Sequence, residues 1–287
     1  MRIIQLFDPW KGKLCTCPPK YSFSPYTGCS HSCVYCYASS YIPHFFKPRV
    51  KRDVLKRLIH DISTIDVSIP VSMSNSSDPY QHLEKRLKIT RSCLKVFKRA
   101  KIKLLVVTKS DLVLRDVDIL KTMNASVSIT ITTLNRSIAK LLEPHAPEPA
   151  KRIKAAKNLI SNGIPVSVRI DPIIPGLNDD VEELIKTLAD IGVQHIVSST
   201  YKVRPDNWKR FSIRFPSISK NLQKLYFDEG EQISNYRYLP TKLRFELMKK
   251  IRDICDSYGI SFATCREGFT HLHTSKTCDG SHLIPDE

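Results

Sequence analysis

The sequence predicts an α/β fold built on a parallel sheet. Three observations carry this. Short β-branched runs alternate with amphipathic runs of helical period, six times in succession. Residues 104–107 are continuously apolar, as a strand buried on both faces is. No repeat or low-complexity segment interrupts the alternation along the 287 residues. Six strand–helix units in series imply right-handed crossovers. They are too few for a closed eight-fold barrel, which leaves a partial barrel or an open sheet. In either, a ligand site lies at the C-terminal ends of the strands.

The first strand is expected over residues 21–25, leading into a cysteine-rich loop, with a helix over 50–63. The stretch "DVSIPVSMS" (66–74) precedes a helix over 82–101, and "KLLVVTKS" (103–110) precedes one over 114–123. The β-branched alternation of "ASVSITITT" (125–133) is a clear strand signal. Its helix spans 149–161 and stops at Asn162-Gly163. "IPVSVRIDPIIPG" (164–176) is followed by a helix over 179–191, for which Asn178 and Asp179 are natural N-caps. The sixth strand is "QHIVSST" (194–200). Residues 1–20 read as an N-terminal segment and 21–200 as the core. Residues 201–287, with a long helix over 241–258 and a short strand over 260–265, read as an extension packed on the barrel.

Composition sets the class. With 41% hydrophobic and 25% charged residues, the chain has material for a full core and needs no disulfides. The net charge of +17 favours anionic partners, nucleic acid first among them. No apolar run approaches a membrane span, and no leader-like apolar segment follows Met1. The expectation is a cytoplasmic, reducing setting with no membrane partner, where clustered cysteines mean metal more often than disulfide.

The stretch "GCSHSCVYCY" places Cys29, Cys33 and Cys36 within eight positions. Thiolates this close hold iron–sulfur clusters or zinc. A closed site wants four ligands. Three leave one coordination position open for a substrate or cofactor. The alternative is a zinc knuckle completed by His31 or a distant cysteine.

This spacing, after a first strand and with Tyr35 just before the third cysteine, resembles the radical S-adenosylmethionine (SAM) superfamily. The resemblance implies a partial (β/α)6 TIM-like barrel and a [4Fe-4S] cluster on Cys29, Cys33 and Cys36. It also implies S-adenosyl-L-methionine on the fourth iron, an external electron donor, and hydrogen abstraction from substrate. The stretches "NSSDPYQHLEKRLKITRSCLKVF", "VVTKSDLVLRD", "SITITTLN", "EPHAPEPAKRI" and "RIDPIIPGLND" are similar to the spore photoproduct lyase-related subfamily. By that likeness Tyr35 lies near the adenine. Asn75, Ser76, Ser77 and Asp78 meet the SAM amino group, where the family's usual Gly-Gly-Glu is missing. Lys109 neutralises the SAM carboxylate, Thr130 and Thr132 bond the ribose, and Arg169 and Asp171 face the same rim. The photoproduct lyase carries a cysteine at the end of its second strand; Asn75 or Ser76 stands there in this chain, which argues against repair by the same route.

Two further features lie outside the resemblance. Cys15, Cys17, Cys265 and Cys278 sit in loop-like contexts and form a candidate second metal site, for zinc or another iron–sulfur cluster. Cys265 is separately a candidate hydrogen donor; Cys93 and Cys255 read as core. The basic, aromatic stretch "YKVRPDNWKRFSIRF" (201–215) is a candidate contact for a nucleic-acid substrate. The second reading, from a different class, is a non-catalytic nucleic-acid-binding iron–sulfur or zinc protein.

Overall fold

The computed structural model describes residues 2–8 and 12–286; residues 1, 9–11 and 287 of the expected terminal segments lie outside it. In chain order the strands are β1 (Gln5–Leu6), β2 (Tyr21–Phe23), β3 (Tyr26–Thr27), β4 (Arg49–Val50), β5 (Val71–Met73), β6 (Leu104–Thr108), β7 (Ala125–Thr130), β8 (Val166–Ile173), β9 (His195–Thr200), β10 (Glu231–Ile233), β11 (Tyr236–Tyr238) and β12 (Ser261–Thr264). The helices are α1 (Val54–Ile62), α2 (His82–Leu87), α3 (Ile89–Arg99), α4 (Val117–Leu120), α5 (Arg136–Leu142), α6 (Pro149–Ser161), α7 (Glu182–Asp190), α8 (Pro205–Arg214), α9 (Pro216–Phe227) and α10 (Thr241–Ser257).

Among the described residues the main sheet has eight strands, in the order β1-β2-β5-β6-β7-β8-β9-β12. Only β1 runs antiparallel, against β2. From β2 to β12 every neighbouring pair is parallel. The six expected strands are β2 and β5 to β9, so the α/β partial-barrel architecture is present. Both chain ends also enter the sheet: β1 extends one edge and β12 the other.

The two faces of the sheet differ in chemistry. Val71, Met73, Val127, Ile129, Val166, Val168 and Ile170 join the helices in the main core. The residues alternating with them, Ser72, Ser74, Ser126, Ser128, Thr130, Ser167, Arg169 and Asp171, turn the opposite way. Closed barrels fill this inner space with bulky branched side chains. Small hydroxyls leave it open, and that room becomes the site.

Three expectations are corrected locally. The helix expected over 82–101 breaks at Lys88, which is left-handed. Glu84 accounts for the break: its carboxylate accepts from Thr90 N (2.9 Å) and so caps the new helix start. Asn178 and Asp179 do not cap α7, which starts at Glu182. Asn178 instead donates to Thr132 O and Pro172 O (2.8 and 3.0 Å) and accepts from Ile174 N (2.8 Å), satisfying buried backbone at the end of β8. Finally, the stretch 201–215 is not an open stacking surface. Tyr201, Phe211 and Phe215 are buried together with Leu222 and Tyr226 in a second core. Trp208 packs beside Phe211 and Tyr226, with ring centroids 5.9 and 5.8 Å away. Cys93 and Cys255 are fully buried core residues.

Candidate active site

A cavity of about 1010 Å³ opens between the cysteine loop and the inner face of the sheet. Its lining includes Cys29, Cys33, Cys36, Tyr35, Asn75, Ser76, Ser77, Asp78, Lys109, Thr130, Arg169, Asp171 and Cys265. Cys15 and Cys17 reach the same cavity. Thr132 does not line it. That side chain is buried two residues beyond β7, so of the two threonines expected at the ribose the structure brings only Thr130 to the cavity.

The cysteine loop is shaped by its backbone. Gly28 has φ +79°, and a Cβ there would lie 2.4 Å from Phe45 O. This close approach lets Cys29 N donate to Phe45 O (2.8 Å). Cys36 N donates to Cys33 O (3.2 Å), and Val34 N to Leu142 O (2.9 Å). Gln81 bridges the loop, accepting from Ser30 N (2.9 Å) and donating to Gly28 O (3.2 Å). Helix α8 holds the far end: Asn207 Nδ2 donates to Tyr35 O (3.1 Å), Arg210 Nη2 to Cys36 O (3.0 Å), and Ser39 Oγ to Asp206 (2.7 Å). The extension therefore positions the loop directly.

Burial pushes all three loop thiols up, Cys33 to about 12. Lys109 pulls against this at Cys33 and Cys36. Thiols ionise in such a place only beside strong positive charge, which a metal centre supplies. Three sulfurs at a cavity wall, on a loop preformed by backbone bonds, fit a cluster with an open iron.

His31 is not turned to these sulfurs. Its Nδ1 lies 3.3 Å from His145 O and its Nε2 lies 3.2 Å from Asp78 Oδ2. The zinc-knuckle alternative through His31 is therefore discarded. Asp78 is also differently engaged than expected. Its Oδ1 accepts from Tyr80 N (2.9 Å) and Thr108 Oγ1 (2.8 Å), and its Oδ2 from Lys109 N (2.7 Å), beside His31. A carboxylate has about four acceptor sites, and here they are filled. Burial opposes its charge, but His31 and the N–H donors hold its carboxyl at about 2. Asn75 is likewise committed, donating to Ser22 Oγ (2.8 Å) and accepting from Ser72 Oγ (3.0 Å). Ser77 Oγ lies 3.3 Å from Tyr26 O.

The opposite wall comes from β8, β9 and the extension. Arg169 Nη2 donates to Asp171 Oδ2 (2.7 Å), and Ser199 Oγ to Asp171 Oδ1 (2.6 Å). Burial works against the Asp171 charge, and Arg169 and Lys202 hold the carboxyl down. The Arg169 guanidinium is held cationic by Cys265 and Asp171 despite its burial. Glu267, buried, accepts from Thr200 N (2.7 Å), Lys202 Nζ (3.1 Å) and Arg244 Nη1 (2.8 Å).

Of the second cysteine set, Cys17 and Cys278 touch, and Cys15 lies close enough to act on Cys17. Cys278 Sγ lies 3.3 Å from Cys17 Sγ, and Cys15 donates to Cys17 as well. These two thiols and then Lys20 hold Cys17 well below the ordinary thiol range, against its burial. Lys20 pairs with Asp279 at 2.5 Å on the same wall. Among the described residues no group of three or more His, Cys, Asp or Glu side chains gathers about one point as a single metal ion requires.

Sequence reasoning missed Glu143, Arg152, Lys202, Arg244 and Glu267. The motif "EPHAPEPAKRI" carries the first two, and its proline-rich run from the end of α5 into the Pro-initiated α6 was the available signal.

The Radical SAM superfamily profile matches residues 23–188. An uncharacterised protein of Methanocaldococcus jannaschii is 39% identical over 170 residues, 58% of this chain and 64% of that relative, so the match spans less than two-thirds of its length. A radical SAM Nα-GlyT isomerase of Pseudomonas phage M6 is 23% identical over 255 residues, 85% of this chain and 53% of that one. Among solved structures, a spore photoproduct lyase variant with bound AdoMet and dinucleoside spore photoproduct aligns with TM-score 0.64 and 17% identity. That alignment covers 90% of this chain and 80% of the lyase and shows a shared fold.

Proposed function

The chain belongs to the radical SAM superfamily and is an enzyme of that class; from this premise we propose that Cys29, Cys33 and Cys36 hold a [4Fe-4S] cluster. The observation carrying this is that the three closely spaced loop cysteines line one cavity of about 1010 Å³ together with Tyr35, Lys109 and Thr130. When bound, the cluster supplies one electron for the cleavage of SAM to methionine and a 5′-deoxyadenosyl radical.

The remaining roles belong to side chains. Lys109 meets the carboxylate of SAM, Tyr35 lies along the adenine, and Thr130 serves the ribose. Ser76 is the cavity-lining member of the 75–78 group whose side chain is not tied back. Asn75, Ser77 and Asp78 line the cavity too but spend their polar atoms on bonds within the protein. Asp78 fixes the start of the loop after β6 and therefore the direction in which Lys109 leaves it. Arg169 and Asp171 face the substrate side, and Cys265 beside them is the hydrogen donor. The core over 21–200 carries the cofactors, while 201–287 orients the loop and supplies the donor thiol. Cys15, Cys17 and Cys278 act as a thiol cluster on the seam where the N-terminal segment meets the C-terminal tail, beside the Lys20–Asp279 pair; a second metal there is the competing assignment.

The substrate is an anionic molecule, with nucleic acid as the favoured class. The net charge of +17 and the cations at the cavity (Lys109, Arg169, Lys202 and Arg266) support this reading. The decisive experiment reconstitutes the cluster anaerobically, then adds dithionite and SAM. 5′-Deoxyadenosine is expected, and its absence with an intact cluster would favour a non-catalytic binding protein. Binding to single-stranded oligonucleotides is expected to weaken steeply with salt; a slope near zero against log salt removes nucleic acid as substrate.

A further inference from the structure

The segment after α5 carries two buried charges, Glu143 and Arg152, behind the cavity-lining Tyr35 and Lys109. Glu143 is 1% exposed. Its Oε1 accepts from the Tyr35 hydroxyl and lies 3.9 Å from Lys109 Nζ. Its Oε2 lies 2.5 Å from Arg152 Nη2. Arg152 is itself buried and anchored, donating to Pro147 O (2.7 Å) and to Thr130 O (3.0 Å) at the end of β7. The backbone adds two further ties to the cysteine loop, Val34 N to Leu142 O (2.9 Å) and His145 N to His31 O (3.2 Å).

Packing alone does not explain these charges. A buried ion pair is usually matched or bettered in stability by apolar side chains of similar volume. What apolar side chains would not do is hold a third charge. The Lys109 side chain is 19% exposed and projects into the cavity between the Glu143 carboxylate and the face of Tyr35, 5.7 Å from the ring centroid. Arg152 balances Glu143, so the trio leaves one net positive charge. That charge sits on the flexible member and is held by two fixed neighbours.

We propose that Glu143 is a positioning residue that fixes the Lys109 ammonium where the carboxylate of SAM is received, with Arg152 as its counter-ion and anchor. The proposal rests on the radical SAM reading above. It also ties the cofactor side of the cavity to the cysteine loop through Tyr35, so that one carboxylate registers both.

The test compares binding of SAM and of decarboxylated SAM to the reconstituted cluster, read by the change each causes in the EPR spectrum of the reduced protein. Glu143→Gln keeps the shape and removes the charge. It is expected to raise the SAM Kd at least tenfold while leaving that of decarboxylated SAM within about twofold. Lys109→Met is expected to do the same, and the two together no more than Lys109→Met alone. If the single Glu143 variant misfolds, Glu143→Gln/Arg152→Met removes the pair as a unit and is expected to fold with the same selective loss. Equal losses for both ligands, or full additivity with Lys109→Met, would assign Glu143 a purely structural role. Wild-type protein that carries its cluster but binds neither ligand would defeat the radical SAM reading itself, a different result from either.

Discussion

Glu267→Ala tests whether the extension is an integral wall of the cavity. The carboxylate is 1% exposed and accepts from Thr200 N, Thr200 Oγ1 and Lys202 Nζ on Oε1, and from Arg244 Nη1 on Oε2. Charge-assisted hydrogen bonds contribute roughly 1.5–3 kcal/mol each. Simple addition over four of them overshoots, because forming them also strips water from a carboxylate and two cations. Removing one partner of a buried ion pair costs about 3–5 kcal/mol, and that is the expected loss. Arg244 is 2% exposed; it would keep its bonds to Leu239 O, Glu267 O and Thr241 Oγ1, but its remaining carboxylate neighbour would be Glu231, 3.6 Å from Nη2 and itself partly exposed. Lys202 would lose the neighbour that most strongly holds its charge against burial. Urea unfolding followed by tryptophan fluorescence reads the loss, and melting is expected to fall on the order of 10 °C. Glu267→Ala/Arg244→Met should recover part of the loss, since the stranded guanidinium is gone. A loss below about 1 kcal/mol, the scale of a surface pair, would refute the reasoning.

Four other outcomes are expected. Gly28→Ala forces a left-handed alanine, costing roughly 1–2 kcal/mol, and drives Cβ into Phe45 O; iron retained after reconstitution should fall severalfold, and unchanged iron would show that the loop gives way freely. Asp279 contributes acid-sensitive stability. Burial opposes its charge, but Lys20 depresses its carboxyl from 3.8 to about 2, so the contribution is complete above pH 3.8 and fades as pH falls through about 2. The gap in urea stability between wild type and Asp279→Asn should narrow by about 2 kcal/mol across that window, and a gap independent of pH contradicts the pairing. Cys265→Ala should leave 5′-deoxyadenosine formation intact and abolish product formation; an unchanged product yield dismisses the thiol as donor. Anaerobically purified protein should contain about four irons and no zinc, whereas about one zinc or about four further irons would support a second metal, for which Cys15, Cys17, Cys265 and Cys278 are the candidate ligands.

The strands were legible because fully buried β-branched runs carry their own signal, as in "ASVSIT". The cysteine loop was legible because thiol spacing constrains chemistry more tightly than packing does. The charged networks were not, because Glu143 and Tyr35 lie 108 positions apart and Glu267 and Lys202 lie 65 apart. A single acidic residue reads as solvated until its partners are known. Two misreadings had usable cues. Trp208, Phe211 and Phe215 recur at helical spacing, which marks one buried face rather than a stacking surface. Asp78 precedes Pro79 and Tyr80, an Asx-turn setting in which the carboxylate is drawn to the backbone two residues on.

The contact between Lys20 and Asp279 joins residues 259 positions apart. Closing a flexible loop of that length costs about 5 kcal/mol of chain entropy, so the seam draws on the rest of the fold being in place. It is expected to be the first part of the cavity wall to open and the last to set. During synthesis the inner face of the sheet stays accessible from this side until residue 279 is available, whatever the state of the mouth. Native-state hydrogen exchange should find the Ser281 amide, bonded to Asp279, opening independently of and faster than amides in β6 to β8.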